Sequence, residues 1–123
     1  MTEGMAPPGW PAEVRPPGAP DWERTAVGWL YDLVPPDYRA HEVLRRYPVV
    51  LARFAAVHVE SAVQAARLGL SRVREDLAGA VPPDAVEAAV VAWEREGARL
   101  AAASRAVALV EAALRGRRFQ ARL

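Results

Sequence analysis

The feature that most constrains the fold is a run of apolar residues spaced alternately three and four positions apart, from Val49 to Ala80. An average spacing of about 3.5 residues is typical of a coiled-coil seam, in which one side of a helix packs against another helix. A second apolar run recurs every seven residues from Val86 to Leu114. The sequence therefore predicts two long helices, at about residues 48–79 and 83–117.

The link between these helices is short enough to determine how they pack. Gly79 is suited to end the first helix, and Pro83 and Asp84 are suited to the first turn of the second. A connection of this length makes the two helices antiparallel neighbours. We predict an all-α protein built on an antiparallel, coiled-coil-like hairpin of two long helices, in which Val73 lies opposite Trp93.

The chain before the hairpin has a different character. Residues 1–20 contain six prolines and three glycines, so we expect a disordered, proline-rich tail in which Trp10 is the residue that a partner could bury. The helical domain is predicted over residues 21–118. Its two short N-terminal helices, at about 21–33 and 37–47, are expected to pack on the hairpin.

A second apolar stripe on the first long helix raises the question of what covers it. The stripe runs through Val50, Leu51, Phe54, Ala55, Val57, Ala62 and Ala65. A two-helix hairpin leaves it bare, so either the short aromatic helices fold back over it or two hairpins pair as a four-helix bundle. The two arrangements are compatible, and we favour a homodimer that uses part of this surface. The predicted interaction surface comprises Trp22, Trp29, Tyr31 and Phe54.

Composition places the chain among small globular proteins. Its 123 residues, 52% hydrophobic and 25% charged, are enough for one domain with a tail. Arg53, His58 and Glu60 interrupt the longest apolar stretch, so we expect no contact with a membrane. The first residues lack a basic segment followed by an apolar one, so we expect no secretory signal. The chain has no cysteine, which fits a cytoplasmic protein.

The sequence offers little catalytic or metal-binding chemistry. Its two histidines, His41 and His58, do not form the i, i+4 pair that binds a metal on a helix, and no phosphate loop or nucleophile motif is present. We therefore expect no enzyme activity, cofactor, metal or small-molecule substrate. We do predict one structural pair. His58 lies beside the seam and Glu111 occupies it, so either they hydrogen-bond across the hairpin or both reach solvent.

Arginine is concentrated at one end of the predicted hairpin, which includes a C-terminal tail at residues 119–123. The arginines at this end are Arg45, Arg46, Arg115, Arg117, Arg118 and Arg122. They could contact an anionic partner such as nucleic acid, or complement the helix dipole and keep the end soluble. We predict a non-enzymatic helical module for protein–protein interaction or structure, able to self-associate. The alternative is a nucleic-acid-associated regulator that uses the Arg-rich end.

Two stretches resemble a known group of proteins. They are Trp29–Arg39, with the sequence WLYDLVPPDYR, and Glu42–Arg53, with the sequence EVLRRYPVVLAR. Over about residues 21–118 the chain resembles small uncharacterised helical proteins of high-G+C bacteria, a resemblance that implies no activity or site residue. In size and architecture it is also similar to the helical-hairpin proteins exported by type VII secretion. It departs from them at residues 79–83, where their Trp-x-Gly motif is absent.

Overall fold

The computed structural model describes residues 6–116, whose regular structure is helical throughout. Its elements are helix α1 (Trp22–Leu33), a 3₁₀ helix (Pro36–Ala40), and helices α2 (Glu42–Arg46), α3 (Pro48–Leu77) and α4 (Pro83–Leu114). The two long helices, α3 and α4, pack antiparallel, and the short N-terminal helices contact them. The predicted all-α hairpin with short helices packed on it is confirmed.

Local backbone geometry determines where the helices end. Val34 and Tyr47 are extended because each precedes a proline, which disfavours the helical conformation. The helix predicted over 37–47 is instead a 3₁₀ helix followed by α2, since His41 between them is extended. The first long helix ends two residues before Gly79, which has a φ of 75° that glycine adopts without strain.

A glycine also follows the end of the second long helix. This helix ends at Leu114, and Gly116 just beyond it has a φ of 82°. The prediction extended the helix to residue 117, which lies outside the described residues together with the predicted tail at 119–123. The helix therefore ends at the last residue of the apolar run, Leu114, three residues short of the predicted end.

The main core lies at the open end of the hairpin, where α3 begins and α4 ends. It joins residues of all four α-helices, and its most completely buried members are Leu30, Leu44, Leu51, Val107 and Val110. Removal of this apolar surface from water holds the short helices on the hairpin. Toward the bend, a smaller set of seam residues is buried between the long helices: Val63, Ala66, Val73 and Val90.

The proline-rich N-terminal segment packs against this core, so the predicted disordered tail is wrong for residues 6–20. Val14 is buried in the core, and the Trp10 indole Nε1 donates a 2.9 Å hydrogen bond to the Val14 carbonyl. The rings of Trp10 and Trp22 lie 6.2 Å apart between centroids. Prolines restrict the unfolded chain, so this segment loses less conformational entropy on ordering than a flexible tail would. Residues 1–5 of the predicted tail lie outside the described residues.

Contacts between the long helices define their register. Near the bend, Arg74 Nη2 lies 2.9 Å from Glu87 Oε2. Farther along, the Trp93 indole lies directly over Gly69, so closely that a Cβ on this glycine would be 2.6 Å from Trp93 Cζ2. The predicted register places Trp93 opposite Val73, one turn closer to the bend. The Trp93 ring therefore reaches Gly69, one turn beyond its predicted partner in the direction of the open end.

The first long helix, α3, is apolar for a helix with so much exposed surface. Its most apolar 18-residue window has a mean hydropathy of 1.3, and 33% of that window is buried. This helix is long and apolar enough to cross a membrane. Core helices of soluble proteins can have the same length and composition. The absence of membrane contact therefore stays a prediction. The folded chain leaves part of this apolar helix uncovered.

Candidate interaction surface

A shallow groove of about 810 Å³ runs between the first half of α3 and the second half of α4. We call it the α3–α4 groove. Its lining residues are Arg53, Ala56, Val57, Glu60, Ser61, Gln64, Ser104, Ala108, Glu111, Ala112 and Arg115. On α4 the lining includes Ser104, Ala108 and Ala112, small residues spaced four apart on one side of the helix. Because these side chains are small, another helix could approach this side of α4 closely.

A buried carboxylate lies at the open end of the groove. Glu111 is 8% exposed, and its Oε2 accepts hydrogen bonds from Arg115 Nε at 3.0 Å and Nη2 at 2.8 Å. Arg53 Nη1 approaches the same oxygen at 3.6 Å. The buried charge of Glu111 is thus compensated by two guanidinium groups, as a desolvated carboxylate requires.

The predicted hydrogen bond between His58 and Glu111 is wrong. The carboxylate bonds instead to Arg115, one turn further along the same helix, where the long side chain reaches it without crossing the hairpin. The His58 ring lies against the Tyr38 ring, with their centroids 6.0 Å apart. The arginines therefore replace histidine as partners of the seam carboxylate.

This arrangement makes Arg115 a residue of structural value. We expect Arg115→Ala to lower the free energy of unfolding by about 1 kcal/mol, since it removes two charge-assisted bonds to a buried acceptor in a site that is partly open to solvent. Arg99→Ala is the matched control, because Arg99 pairs with Glu96 three residues away on the exposed surface. Its effect should stay within about 0.5 kcal/mol. Urea unfolding of both variants measures the difference, and equal losses would contradict a special role for Arg115.

A second pocket, of about 270 Å³, lies where the end of α1 covers the other side of the hairpin. Its charged and titratable lining residues are Asp32, His58, Glu96 and Arg99. The Arg99 Nε donates to Glu96 Oε2 at 3.0 Å, and this hydrogen bond holds the pKa of Glu96 below its usual value despite a small opposing effect of burial. Within residues 6–116, no group of three or more His, Asp or Glu side chains could hold a metal ion.

The structure separates the four residues of the predicted aromatic interaction surface. Trp29 is buried in the core, so its assignment to an interaction surface is wrong, and Trp22 and Tyr31 are half-buried against the same core. The Tyr31 hydroxyl is itself buried without a hydrogen-bond partner among the described residues, and the Arg39 guanidinium lies 5.0 Å from the ring centroid. Phe54 alone among the four is exposed. The short helices use their aromatic side chains to cover the hairpin.

Beyond Phe54, the outward side of α3 carries a continuous row of small and apolar residues. We define the outer stripe as Val50, Phe54, Val57, Ser61, Ala65 and Leu68, which follow one another at steps of three and four. Phe54 is 43% exposed, Val57 63% and Leu68 50%. At about 100° per residue these positions face away from the seam that contacts α4. Phe54, Val57 and Leu68 are the large apolar side chains of this helix that are exposed, while Val50 packs partly against the core.

Sequence reasoning found only part of this surface. It placed Val50, Phe54, Val57 and Ala65 on a second stripe, together with residues that the short helices bury, such as Leu51. It missed Ser61 and Leu68, because a small polar residue interrupts the apolar run. The spacing of three and four, followed through Ser61, is the signal that leads to them.

The described arginines of the predicted basic end have partners within the chain. Arg45 donates a hydrogen bond to the Arg39 carbonyl, and the Arg46 guanidinium lies 5.6 Å from the Tyr47 ring centroid. Arg115 binds Glu111, as described above. The other three predicted contacts lie outside the described residues: Arg117, Arg118 and Arg122. The described arginines of this end, in α2 and directly after α4, therefore each have a partner within the chain.

Comparison of the chain with protein-family models, with curated proteins and with solved structures found no match. The resemblance to helical proteins of high-G+C bacteria therefore stays a prediction, and it carries no site to this chain. The surfaces that bear on its function are the α3–α4 groove and the outer stripe.

Proposed function

We propose that this protein is a non-enzymatic helical interaction module that binds a helix of a protein partner along α3. The observation that carries the proposal is the outer stripe, where Phe54, Val57 and Leu68 stay exposed in one row along a single helix. From Val50 to Leu68 the stripe extends about 27 Å at ~1.5 Å per residue, which matches the length of an ordinary partner helix. Helices recognise one another through rows of this spacing.

The chemistry of the neighbouring groove supports a binding role rather than a catalytic one. Its buried carboxylate, Glu111, is held by two guanidinium groups, those of Arg115 and Arg53. The described residues that line the groove include Ser61 and Ser104 but no histidine. His58 lines the second pocket instead. The Ser61 hydroxyl donates to the His58 carbonyl of its own helix rather than to a base, whereas small, polar groove residues suit close helix packing.

A protein partner fits this surface better than a nucleic acid does. Binding of nucleic acid requires cationic side chains that are free to neutralise phosphates. At the predicted basic end, Arg115 and Arg53 instead compensate Glu111, and Arg45 donates to the Arg39 carbonyl. The outer stripe itself carries no charge and presents apolar side chains, which are the energetic centre of protein–protein interfaces.

Site-specific photo-crosslinking in cells that produce the protein tests this proposal. A photo-crosslinking amino acid in place of Val57 or Leu68 should form a covalent adduct with another polypeptide, while the same group in place of Ala98, an exposed residue of α4, should not. The adduct masses then identify the class of partner. Absence of adducts from both stripe positions, or equal yield from Ala98, would overturn the proposed function.

A further inference from the structure

We infer that the partner of the outer stripe is a second copy of this chain, packed antiparallel so that the twofold axis passes beside Ser61. This inference rests on the proposed function and names the occupant of the proposed surface. In such a dimer, a residue that precedes Ser61 by a given number of positions faces the partner residue that follows it by the same number. The sequence of the stripe can therefore be tested for fit against itself.

The central part of the outer stripe, from Phe54 to Leu68, is complementary to itself about this axis, while Val50 at its end would face Arg72. Phe54 and Leu68 each lie seven positions from Ser61, so the two largest exposed side chains of the stripe meet across the interface. Val57 and Ala65 each lie four positions away, which pairs a larger side chain with a small one. Alternation of this kind allows two helices to interdigitate. The serine at the axis is small enough for the helix axes to approach to about 8 Å.

Charge at the two ends of the stripe favours the antiparallel arrangement. Arg46 precedes Ser61 by fifteen positions, and Asp76 follows it by fifteen; both are exposed. Their neighbours Arg45 and Glu75 add a second charge of the same sign at each end. Arg72 and Arg74 also lie at the second end, but Arg74 is paired with Glu87 of α4, so this end keeps a net negative charge. Antiparallel packing brings the basic end of one copy to the acidic end of the other, whereas parallel packing would bring like charges together.

The apolar character of α3 explains why such a cover is needed. Its most apolar window is only 33% buried in the single chain, although its composition would suit a core helix or a membrane span. A second copy would cover Phe54, Val57 and Leu68 and extend over the rim of the α3–α4 groove, which shares Val57 and Ser61 with the stripe. Occupation by the partner would bring this apolar helix to the burial expected of a soluble protein.

The absence of cysteine makes the proposed axis directly testable. Ser61→Cys places one thiol per chain beside the axis, where two copies of it come within the ~7 Å between Cα atoms that a disulfide allows. Ser71→Cys is the matched control. Ser61 and Ser71 are both exposed on α3, and each hydroxyl donates to the carbonyl three residues earlier. Because Ser71 lies ten positions from the axis, the two thiols that Ser71→Cys introduces into a dimer would lie about 30 Å apart at ~1.5 Å per residue.

Under mild oxidation at low micromolar concentration, we expect Ser61→Cys to form a covalent dimer at least about a hundredfold faster than Ser71→Cys, because association brings its thiols to roughly millimolar effective concentration. Val57→Glu introduced into Ser61→Cys should slow its oxidation to the rate of Ser71→Cys. By light scattering, the reduced Ser61→Cys protein should have twice the chain mass, and the double variant should have the mass of a single chain. Val57 is exposed in the single chain, so this change does not disturb the fold.

Three results would overturn the inference. If Ser61→Cys oxidised as slowly as Ser71→Cys, the two copies would not meet at Ser61 and the proposed twofold axis would be wrong. A chain mass for the wild type, together with photo-crosslinked adducts of another mass at Val57, would preserve the proposed function and assign the stripe to a different protein. Flotation of the wild type with vesicles of phosphatidylcholine and phosphatidylglycerol, abolished by Val57→Glu, would assign the stripe to a lipid surface instead.

Discussion

Replacing Leu44 by alanine should lower the free energy of unfolding by about 2–5 kcal/mol, the range measured for cavity-forming changes in a core. Leu44 belongs to the short helix α2 and is fully buried, at 0% exposed, in the cluster that joins the short helices to the hairpin. Five residues of isolated helix have no stability of their own, so the docking of α2 depends on this side chain. Its loss leaves a cavity between α2 and the long helices.

The adjacent residue provides the control for this prediction. Val43 is 46% exposed, and Val43→Ala should cost less than about 1 kcal/mol, since little apolar surface is lost. Urea unfolding followed by circular dichroism compares the two variants at one protein concentration, because self-association would add to stability. Equal losses would mean that the short helices do not pack on the hairpin in solution.

The parts of the fold that follow a period could be predicted from sequence, and the parts that depend on a single contact could not. The apolar spacing from Val49 to Ala80 located the first long helix within about two residues at each end. Val14 lies alone among prolines and glycines, so no pattern signals its burial, which depends on the distant helices it packs against. His41 breaks the predicted helix through a backbone conformation that no side-chain spacing encodes.

Competition between partners explains the errors at the candidate site. The seam position of Glu111 indicates a carboxylate that needs a partner, but the predicted partner, His58, lies across the hairpin. Arg115, four residues after Glu111 on the same helix, has the spacing of a stabilising helical ion pair, a signal that the sequence already contains. Local partners cost less entropy to hold than partners on another helix, so the local arginine is favoured over the distant histidine.

Gly69→Ala is expected to lower the free energy of unfolding by about 1–3 kcal/mol, although alanine in place of a helical glycine usually raises it by about 0.5–1 kcal/mol. The Trp93 ring explains the reversal. A Cβ on Gly69 would lie 2.6 Å from Cζ2 and 2.7 Å from Cε2 of this indole, well inside van der Waals contact. The ring is rigid and 36% exposed, so it must move as a whole toward solvent, losing its packing on Gly69, or push the helices apart.

Gly97→Ala is the natural comparison, because Gly97 is also in a long helix and a Cβ there meets nothing within 4 Å. This change should therefore raise the free energy of unfolding by about 0.5–1 kcal/mol. In a Trp93→Ala background the clash disappears, and Gly69→Ala should then stabilise as Gly97→Ala does. Thermal and urea unfolding of the wild type, Gly69→Ala, Trp93→Ala and the double variant complete a double-mutant cycle, with Gly97→Ala as the comparison. A stabilising Gly69→Ala in the wild-type background would mean that the Trp93 ring does not pack over Gly69.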